Sequence, residues 1–178
     1  MMNDPDEIRP ANDADLDALH ALVERAYRGD SARRGWSHEA DLLGGQRTDR
    51  ESLADTLHDP CQLLLVMLKQ GALIASVTLT DKGDGLAYLG MLAVDPTLQA
   101  GGIGRTMLAE AEAMARDRMG IATMEMTVIA SRVELVAWYQ RRGYVLTDER
   151  RPFPATDPRF GLPKRDDLEF VVLAKSLA

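Results

Sequence analysis

Cysteine, histidine and aromatic residues are scarce in this sequence. Of its 178 residues, one is cysteine, three are histidine, and 5% are Phe, Trp or Tyr. The single cysteine, Cys61, excludes an internal disulfide, and three scattered histidines without a cysteine partner do not fit a structural zinc site. A chain of this length buries about 70% of the surface that it exposes when unfolded, so its core requires neither a disulfide nor a metal ion. We expect no bound metal.

Long apolar runs and an excess of positive charge are missing as well. The longest unbroken apolar run covers residues 63–68, far short of the roughly 20 residues that cross a bilayer. The first residues are acidic and do not resemble a secretory signal, so we expect a cytoplasmic protein without a membrane partner. The net charge is −7, whereas a nucleic-acid interface needs clustered Lys and Arg. The acidic balance mildly favours a cationic partner.

Strand-like and helix-like segments alternate along the chain, without repeats or low-complexity tracts. This pattern predicts one soluble α/β (α+β) domain over residues 1–178. The predicted strands cover residues 8–11, 61–68, 72–80, 86–94, 124–130, 144–149 and 168–175. The predicted helices cover residues 16–27, 51–58, 103–119 and 131–143. Gly120 ends the third helix, and Ser131 with Glu134 has the form of a capping box for the fourth.

Three polar segments interrupt this alternation. Residues 29–50 predict a long loop that carries Trp36, and residues 81–85 predict a turn-rich connector. Residues 150–167 contain four prolines, which prevent regular structure but stiffen the segment. A stiff loop between two final strands is suited to lie over a binding site. Cys61, at a predicted strand start, is interpreted as buried filler and not as a nucleophile.

The most informative segment is a glycine-rich turn between a strand and a helix, over residues 92–105. Its glycines allow backbone N–H groups to approach an anion closely, and the helix N-terminus adds a partial positive charge. Such a turn fits a phosphate, although a flexible connector is the simpler alternative. Met107 stands where the third glycine of a Rossmann motif belongs, and no Gly-Lys-Ser/Thr occurs. Rossmann and P-loop sites are therefore excluded.

The segment resembles the hallmark turn of the Gcn5-related N-acetyltransferase (GNAT) superfamily, Gln/Arg-x-x-Gly-x-Gly/Ala after an apolar-x-Val-x-Pro strand end. Gln99, Gly102 and Gly104 match the turn directly. A second match lies in residues 138–144, which are similar to the family signature aromatic-Tyr-x-x-x-Gly-Phe/Tyr. The resemblance implies a mixed, mostly antiparallel central sheet of six to seven strands flanked by about four helices.

The resemblance also implies acetyl-CoA as acyl donor. The main chain of Leu92, Ala93 and Val94 would bind the pantetheine arm in a V between splayed strands 86–94 and 124–130. The pyrophosphate would be held by backbone amides of one continuous run, to which Arg105 would add its side chain: Gln99, Ala100, Gly101, Gly102, Ile103, Gly104 and Arg105.

By the same resemblance, Tyr139 is the acid that protonates the departing thiolate, and a backbone N–H near Leu92 polarises the thioester carbonyl. A phenol with a pKa of about 10 is protonated at neutral pH and can donate. The alternative for Tyr139 is a core aromatic one turn after Leu135 and Val136. Trp138 beside it is interpreted as packing.

Two positions depart from the family pattern. Tyr88 stands where some relatives carry the glutamate that deprotonates the amine, and Arg132 stands where many carry asparagine. A phenol is a poor base at pH 7, so Glu125, Glu39 or ordered water are the alternatives. Side-chain contacts of the family asparagine therefore do not transfer to Arg132.

The sequence thus predicts an acetyl-CoA-dependent N-acetyltransferase that transfers the acetyl group directly to a primary amine of a small molecule. Trp36, Tyr88 and Phe153 are the candidate walls of the acceptor site. The alternative is a non-catalytic module that binds acyl-CoA as a sensor or interaction domain on the same fold. No nucleic acid is expected as a partner, and a homodimer is left open.

Overall fold

Seven strands form one mixed sheet. The computed structural model describes residues 6–27, 43–44, 48–98, 101–153, 162–164 and 168–178. The strands of this sheet are β1 (Glu7–Pro10), β3 (Gln62–Lys69), β4 (Ala72–Gly83), β5 (Leu86–Val94), β6 (Thr123–Ile129), β7 (Val145–Pro152) and β9 (Glu169–Ser176). Across the sheet they lie in the order β1-β3-β4-β5-β6-β9-β7. Two further strands, β2 (Leu43–Gly44) and β8 (Leu162–Pro163), pair with each other. All pairs in both sheets are antiparallel except β5 with β6.

Four α-helices lie in the described part of the chain: α1 (Leu16–Tyr27), α2 (Arg50–His58), α3 (Ile103–Met119) and α4 (Val133–Gln140). A short 3-10 helix, Asp13–Asp15, precedes α1. The sheet and helices confirm the predicted fold class. None of the described helices combines the length and apolar character that a membrane span requires.

Strand β3 carries side chains into two separate hydrophobic clusters. Leu64 and Val66 pack with α1 and α2 on one face of the sheet. Leu65 and Met67 pack with α3 on the other face. Because both faces of this strand are covered, its sequence is a continuous apolar run without polar alternation.

Most predicted boundaries lie within two residues of the observed ones, but four local predictions were wrong. Strand β4 extends to Gly83, so the predicted connector over residues 81–85 shrinks to the two-residue turn Asp84-Gly85, both with positive φ. An Asp-Gly pair of this kind matches the twist of a hairpin. The N-cap of α4 is Arg132 without a side-chain cap bond, so the capping box at Ser131 does not form.

The other two errors concern Cys61 and the proline-rich segment. Cys61 is exposed, not buried. Strand β7 continues through Pro152, and Leu162–Pro163 forms the short strand β8. Proline is tolerated in β7 because this strand lies at the sheet edge, where the N–H groups on its outer side have no neighbouring strand to bond.

The arginine at position 9 holds the entry to α1 in place. Its guanidinium donates to the Asp15 carboxylate at 2.7 and 3.0 Å, and this carboxylate also accepts from the Asn12 N–H at 2.8 Å. The hydrogen bond from Arg9 lowers the pKa of Asp15, although burial opposes it. A lowered pKa in the folded state means that this stabilisation is present at neutral pH and is lost as the pH falls below about 4.

We therefore expect Asp15→Asn to lower the free energy of unfolding by about 1–3 kcal/mol at pH 7, because a charged hydrogen-bond partner is lost. The difference from wild type shrinks when urea unfolding is repeated at about pH 3. The control is Asp17→Asn, which removes an exposed ion pair with Arg50 and leaves stability nearly unchanged. An equal difference at both pH values would contradict the charge argument.

Candidate functional site

The parallel strands β5 and β6 stay together for only three residue pairs. Leu86 pairs with Thr123, Ala87 with Met124, and Tyr88 with Glu125. Beyond this point β5 remains paired with β4 up to Val94, and β6 remains paired with β9 up to Ile129. The two strands therefore diverge in the middle of the sheet, and the predicted V is present. We refer to this opening as the strand cleft.

Tyr139 lies in α4 and is 6% exposed. Its ring packs edge to face on Trp138 and Tyr144, with ring centroids 5.0 and 5.8 Å away. Burial raises the pKa of Tyr139 well above its usual range, Tyr27 and Tyr88 raise it further, and Arg132 opposes them. The phenol therefore keeps its proton at any physiological pH. Within the described residues its hydroxyl makes no hydrogen bond, which leaves the proton available to a ligand.

Tyr88 spans the start of the strand cleft. Its hydroxyl shares a hydrogen bond of 2.5 Å with the Thr127 hydroxyl on β6. Its ring covers Gly90, where an added Cβ would lie only 3.2 Å from the Tyr88 Cε1 atom. Tyr88 thus bridges the two diverging strands beside Tyr139, and its hydroxyl is engaged with Thr127.

Strand β5 is irregular beyond Tyr88. Met91 has a φ of +48°, and the register between β4 and β5 shifts between Ser76 and Thr78. This is a β-bulge, a device that redirects a strand and is common next to active sites. The carbonyl of Leu92, directly after the bulge residue, accepts a hydrogen bond from the Tyr27 hydroxyl.

The N-terminus of α3 is left free of side-chain caps. Gly102 is the N-cap with a φ of +78°, no side chain caps it, and the first turn contains no acidic residue. By contrast, Asn12 and Asp49 cap the 3-10 helix and α2 with their side chains. Uncapped N–H groups and the helix dipole together favour an anion at this end of α3.

Space around these glycines also fits a ligand that approaches the backbone. A Cβ at Gly101 would meet nothing within 4 Å, and one at Gly102 would meet only the Arg105 Nη2 atom, at 3.9 Å. The N–H of Gly101 donates to the Leu98 carbonyl at 3.1 Å. Gly104 lies against Trp138 and Val94, which confirms Trp138 as a packing residue. Gln99 and Ala100 lie outside the described residues.

The candidate acceptor residues are not all brought together. Phe153 packs on Phe170 of β9, with ring centroids 5.3 Å apart, and β6 and β9 separate it from Tyr88 on β5. Trp36 lies outside the described residues. Strand β2 follows Trp36 in the chain, and strand β8 follows Phe153. The two strands pair with each other.

The candidate base Glu125 is engaged in an ion pair. Its side chain is 12% exposed, and both carboxylate oxygens accept from the Arg151 guanidinium, at 3.2 and 3.4 Å. Arg151 also pairs with Glu149 at 2.9 Å. Glu125 therefore serves a structural ion pair next to Tyr88, and Glu39 lies outside the described residues.

The sequence matches the model of the acetyltransferase (GNAT) family over residues 17–144, more than two thirds of the chain. The chain belongs to the GNAT acetyltransferase family. The match confirms the resemblance seen in the two motifs and the predicted enzyme class, N-acetyltransferase. Among curated proteins, none matches the sequence.

Solved GNAT structures have the same fold as this domain. The ribosomal-protein-S18-alanine N-acetyltransferase from Escherichia coli is 20% identical with a TM-score of 0.72, covering 97% of this chain and 94% of that chain. The PaiA N-acetyltransferase from Thermoplasma acidophilum, solved with coenzyme A, is 19% identical with a TM-score of 0.68, covering 97% and 99%. A spermidine N-acetyltransferase SpeG chimera from Vibrio cholerae and hSSAT is 16% identical with a TM-score of 0.70, covering 98% and 96%.

One contact beside the strand cleft could not have been found from the sequence. Tyr27 occupies a helical position typical of core packing, and it does pack on the α1 and α2 cluster. Its hydroxyl, however, reaches Leu92 across 65 positions of the chain. No local motif encodes such a contact, because only the packing of α1 on β5 creates it.

Proposed function

We propose that this GNAT enzyme transfers the acetyl group of acetyl-CoA directly to the primary amine of a small molecule. The observation that carries the proposal is the divergence of β5 and β6 after Tyr88 and Glu125, with the protonated phenol of Tyr139 buried beside the opening. A cleft between two strands leaves backbone groups free to bind an extended ligand, as an added strand would.

Acetyl-CoA binding is supported at two places. The main chain of Leu92, Ala93 and Val94 binds the pantetheine arm along the edge of β5 that no longer faces β6. The N–H groups of Gly102, Ile103, Gly104 and Arg105 at the start of α3 hold the pyrophosphate, with the Arg105 side chain beside them. The uncapped glycine N-terminus and the absence of an acidic residue in the first turn of α3 support this assignment.

Two groups of the chain act on the thioester. A backbone N–H near Leu92 polarises its carbonyl, as an oxyanion-hole donor does. Tyr139 donates its proton to the thiolate when the carbon–sulfur bond breaks. Because burial raises the pKa of Tyr139, the phenol acts as an acid and never as a base.

The amine loses its proton to ordered water in this proposal. The Tyr88 hydroxyl is engaged with Thr127 and the Glu125 carboxylate with Arg151, so both groups already have partners when the amine arrives. An alkyl amine has a pKa near 10.4, and the reactive neutral fraction therefore rises about tenfold per pH unit below that value.

We expect kcat/KM to rise by roughly tenfold per pH unit between about pH 6 and pH 9, without an inflection from a protein carboxylate. The raised pKa of Tyr139 means that no loss of the acid limits the rate in this range. The profile is measured by thiol release from acetyl-CoA at saturating donor. A plateau beginning near pH 6 would instead indicate a protein base with a matched pKa.

The acceptor class is tested with a panel of amines in the thiol-release assay. Named relatives act on spermidine and on an alanine of ribosomal protein S18, so the panel contains polyamines, amino acids, simple alkyl amines and a peptide with N-terminal alanine. We expect turnover with a small amine and little with the peptide. Preference for the peptide would overturn the small-molecule assignment, and binding of acetyl-CoA without thiol release from any acceptor would support the non-catalytic module.

A further inference from the structure

The last turn of α1 binds strand β5 and the residue directly after it, next to the bulge. The Tyr27 hydroxyl donates to the carbonyl of Leu92, and the Arg25 Nη2 atom donates to the Asp95 Oδ2 atom at 3.2 Å. Two residues of one helical turn thus bind Leu92, in β5, and Asp95, directly after β5. We call these two contacts the α1 clamp.

The clamped segment is irregular and has a neighbouring strand on one side only. Met91 before it adopts a φ of +48°, which is unfavourable for any residue with a Cβ atom and persists only where the surroundings enforce it. The segment pairs with β4 on one side, with a shifted register, and it has lost β6 on the other side. Ala93 and Val94 are buried, and the Asp95 N–H donates to the Ile74 carbonyl at 2.9 Å. To these contacts the α1 clamp adds two side-chain bonds beside the bulge.

The two contacts fix different parts of the proposed donor site. The bond from Tyr27 sets the plane of the peptide that joins Leu92 to Ala93, and with it the direction of the Ala93 N–H, the backbone N–H next to Leu92. Asp95, held by Arg25, also accepts from the Thr97 N–H at 3.0 Å and from the Thr97 hydroxyl at 2.8 Å. Arg25 therefore holds the turn that leads from β5 to the glycines before α3.

We propose that Tyr27 and Arg25 are positioning residues for acetyl-CoA, Tyr27 for the thioester carbonyl and Arg25 for the pyrophosphate turn. The inference rests on the proposed function and extends it to a helix that carries none of the family motifs. A misplacement of about 1 Å in a reacting group can cost on the order of 10²-fold in rate. The clamp therefore acts on catalysis through backbone that it orients, without contact to the reacting atoms.

The test separates kcat from KM in two variants. Tyr27→Phe keeps the ring and removes the hydroxyl, so we expect kcat to fall by roughly tenfold to 10²-fold with a smaller change in the KM for acetyl-CoA. Arg25→Gln is expected to raise the KM for acetyl-CoA severalfold with a smaller change in kcat. The control is Arg50→Gln, which removes an exposed ion pair of 2.8 Å between α2 and α1 and should leave both constants unchanged.

Melting temperatures and acetyl-CoA affinities distinguish the outcomes. A variant that melts earlier but keeps the kcat and KM of wild type would show that the clamp is merely structural, and would overturn the inference. Wild-type protein that binds acetyl-CoA but acetylates no amine would contradict the proposed function alone. In that case calorimetry decides: weaker acetyl-CoA binding by Arg25→Gln supports the clamp, and affinity equal to wild type overturns it.

Discussion

Tyr139→Phe lowers kcat by about 10²-fold to 10⁴-fold at pH 7, the usual contribution of a general acid. The ring stays in its contacts with Trp138 and Tyr144, so the change removes only the hydroxyl proton. Activity is not abolished, because a thiolate is already a fair leaving group. The KM for acetyl-CoA should change little, since the phenol acts on the departing sulfur and not on the bound ground state. Steady-state thiol release measures both constants.

The matched control is Tyr144→Phe. Tyr144 is buried like Tyr139, and its hydroxyl donates to the Glu112 carboxylate at 3.0 Å. Its loss is expected to lower the free energy of unfolding by about 1–3 kcal/mol and to leave kcat nearly unchanged. If Tyr139→Phe keeps the kcat of wild type, Tyr139 is a core aromatic and the assigned acid is wrong.

Gly102→Glu weakens acetyl-CoA binding by on the order of 10²-fold or more. The substitution places a carboxylate at the N-cap of α3, against the position proposed for the pyrophosphate, and like charges at an interface cost several kcal/mol. A side chain at a φ of +78° adds backbone strain, although a Cβ there would meet only Arg105. Isothermal titration calorimetry with acetyl-CoA measures the affinity.

Gly120→Glu provides the control at the opposite end of the same helix. Gly120 also has a positive φ, of +69°, and a Cβ there would meet nothing within 4 Å. The control therefore carries the same backbone strain and the same added charge, but lies away from the proposed phosphate position. Both variants should lose stability, and only Gly102→Glu should lose affinity. Equal affinities for the two variants would remove the phosphate assignment.

The sequence was most informative where an apolar segment is followed directly by a residue that ends a strand or helix. Strand β5 was predicted with its observed bounds, because a mostly apolar segment ends at Asp95-Pro96. Helix α3 was predicted equally well, since its apolar face ends at Gly120, which adopts the left-handed conformation of a helix end. Both signals are local, and tertiary packing does not shift the ends of these two elements.

Local signals were misleading where tertiary position decides. Four prolines predicted a loop over residues 150–167, yet β7 includes Pro152. Strand β7 lies at the sheet edge, where a residue without an N–H breaks no bond to a neighbouring strand on its outer side. The apparent capping box at Ser131 fails because the chain turns one residue later, with the Arg132 N–H donating to the Ile129 carbonyl. Neither outcome is encoded in the neighbouring residues alone.

The candidate site was predictable only in part. The glycines before α3 and Tyr139 were found through two motifs, whereas the roles of Tyr27 and Arg25 depend on contacts between segments distant in the chain. The acceptor residues were the least predictable, since no motif marks Trp36, Tyr88 or Phe153. The single domain over residues 1–178, the cytoplasmic location, the absence of metal and any homodimer stay predictions.

The central claim is that the strand cleft holds acetyl-CoA beside Tyr139, and a crystal structure with acetyl-CoA bound tests it most directly. We predict the pantetheine arm along Leu92 to Val94, the pyrophosphate on the N–H groups at the start of α3, and the sulfur within hydrogen-bond reach of the Tyr139 hydroxyl, directly or through one water. Acetyl-CoA bound outside the cleft, or a sulfur far from Tyr139, would contradict the claim.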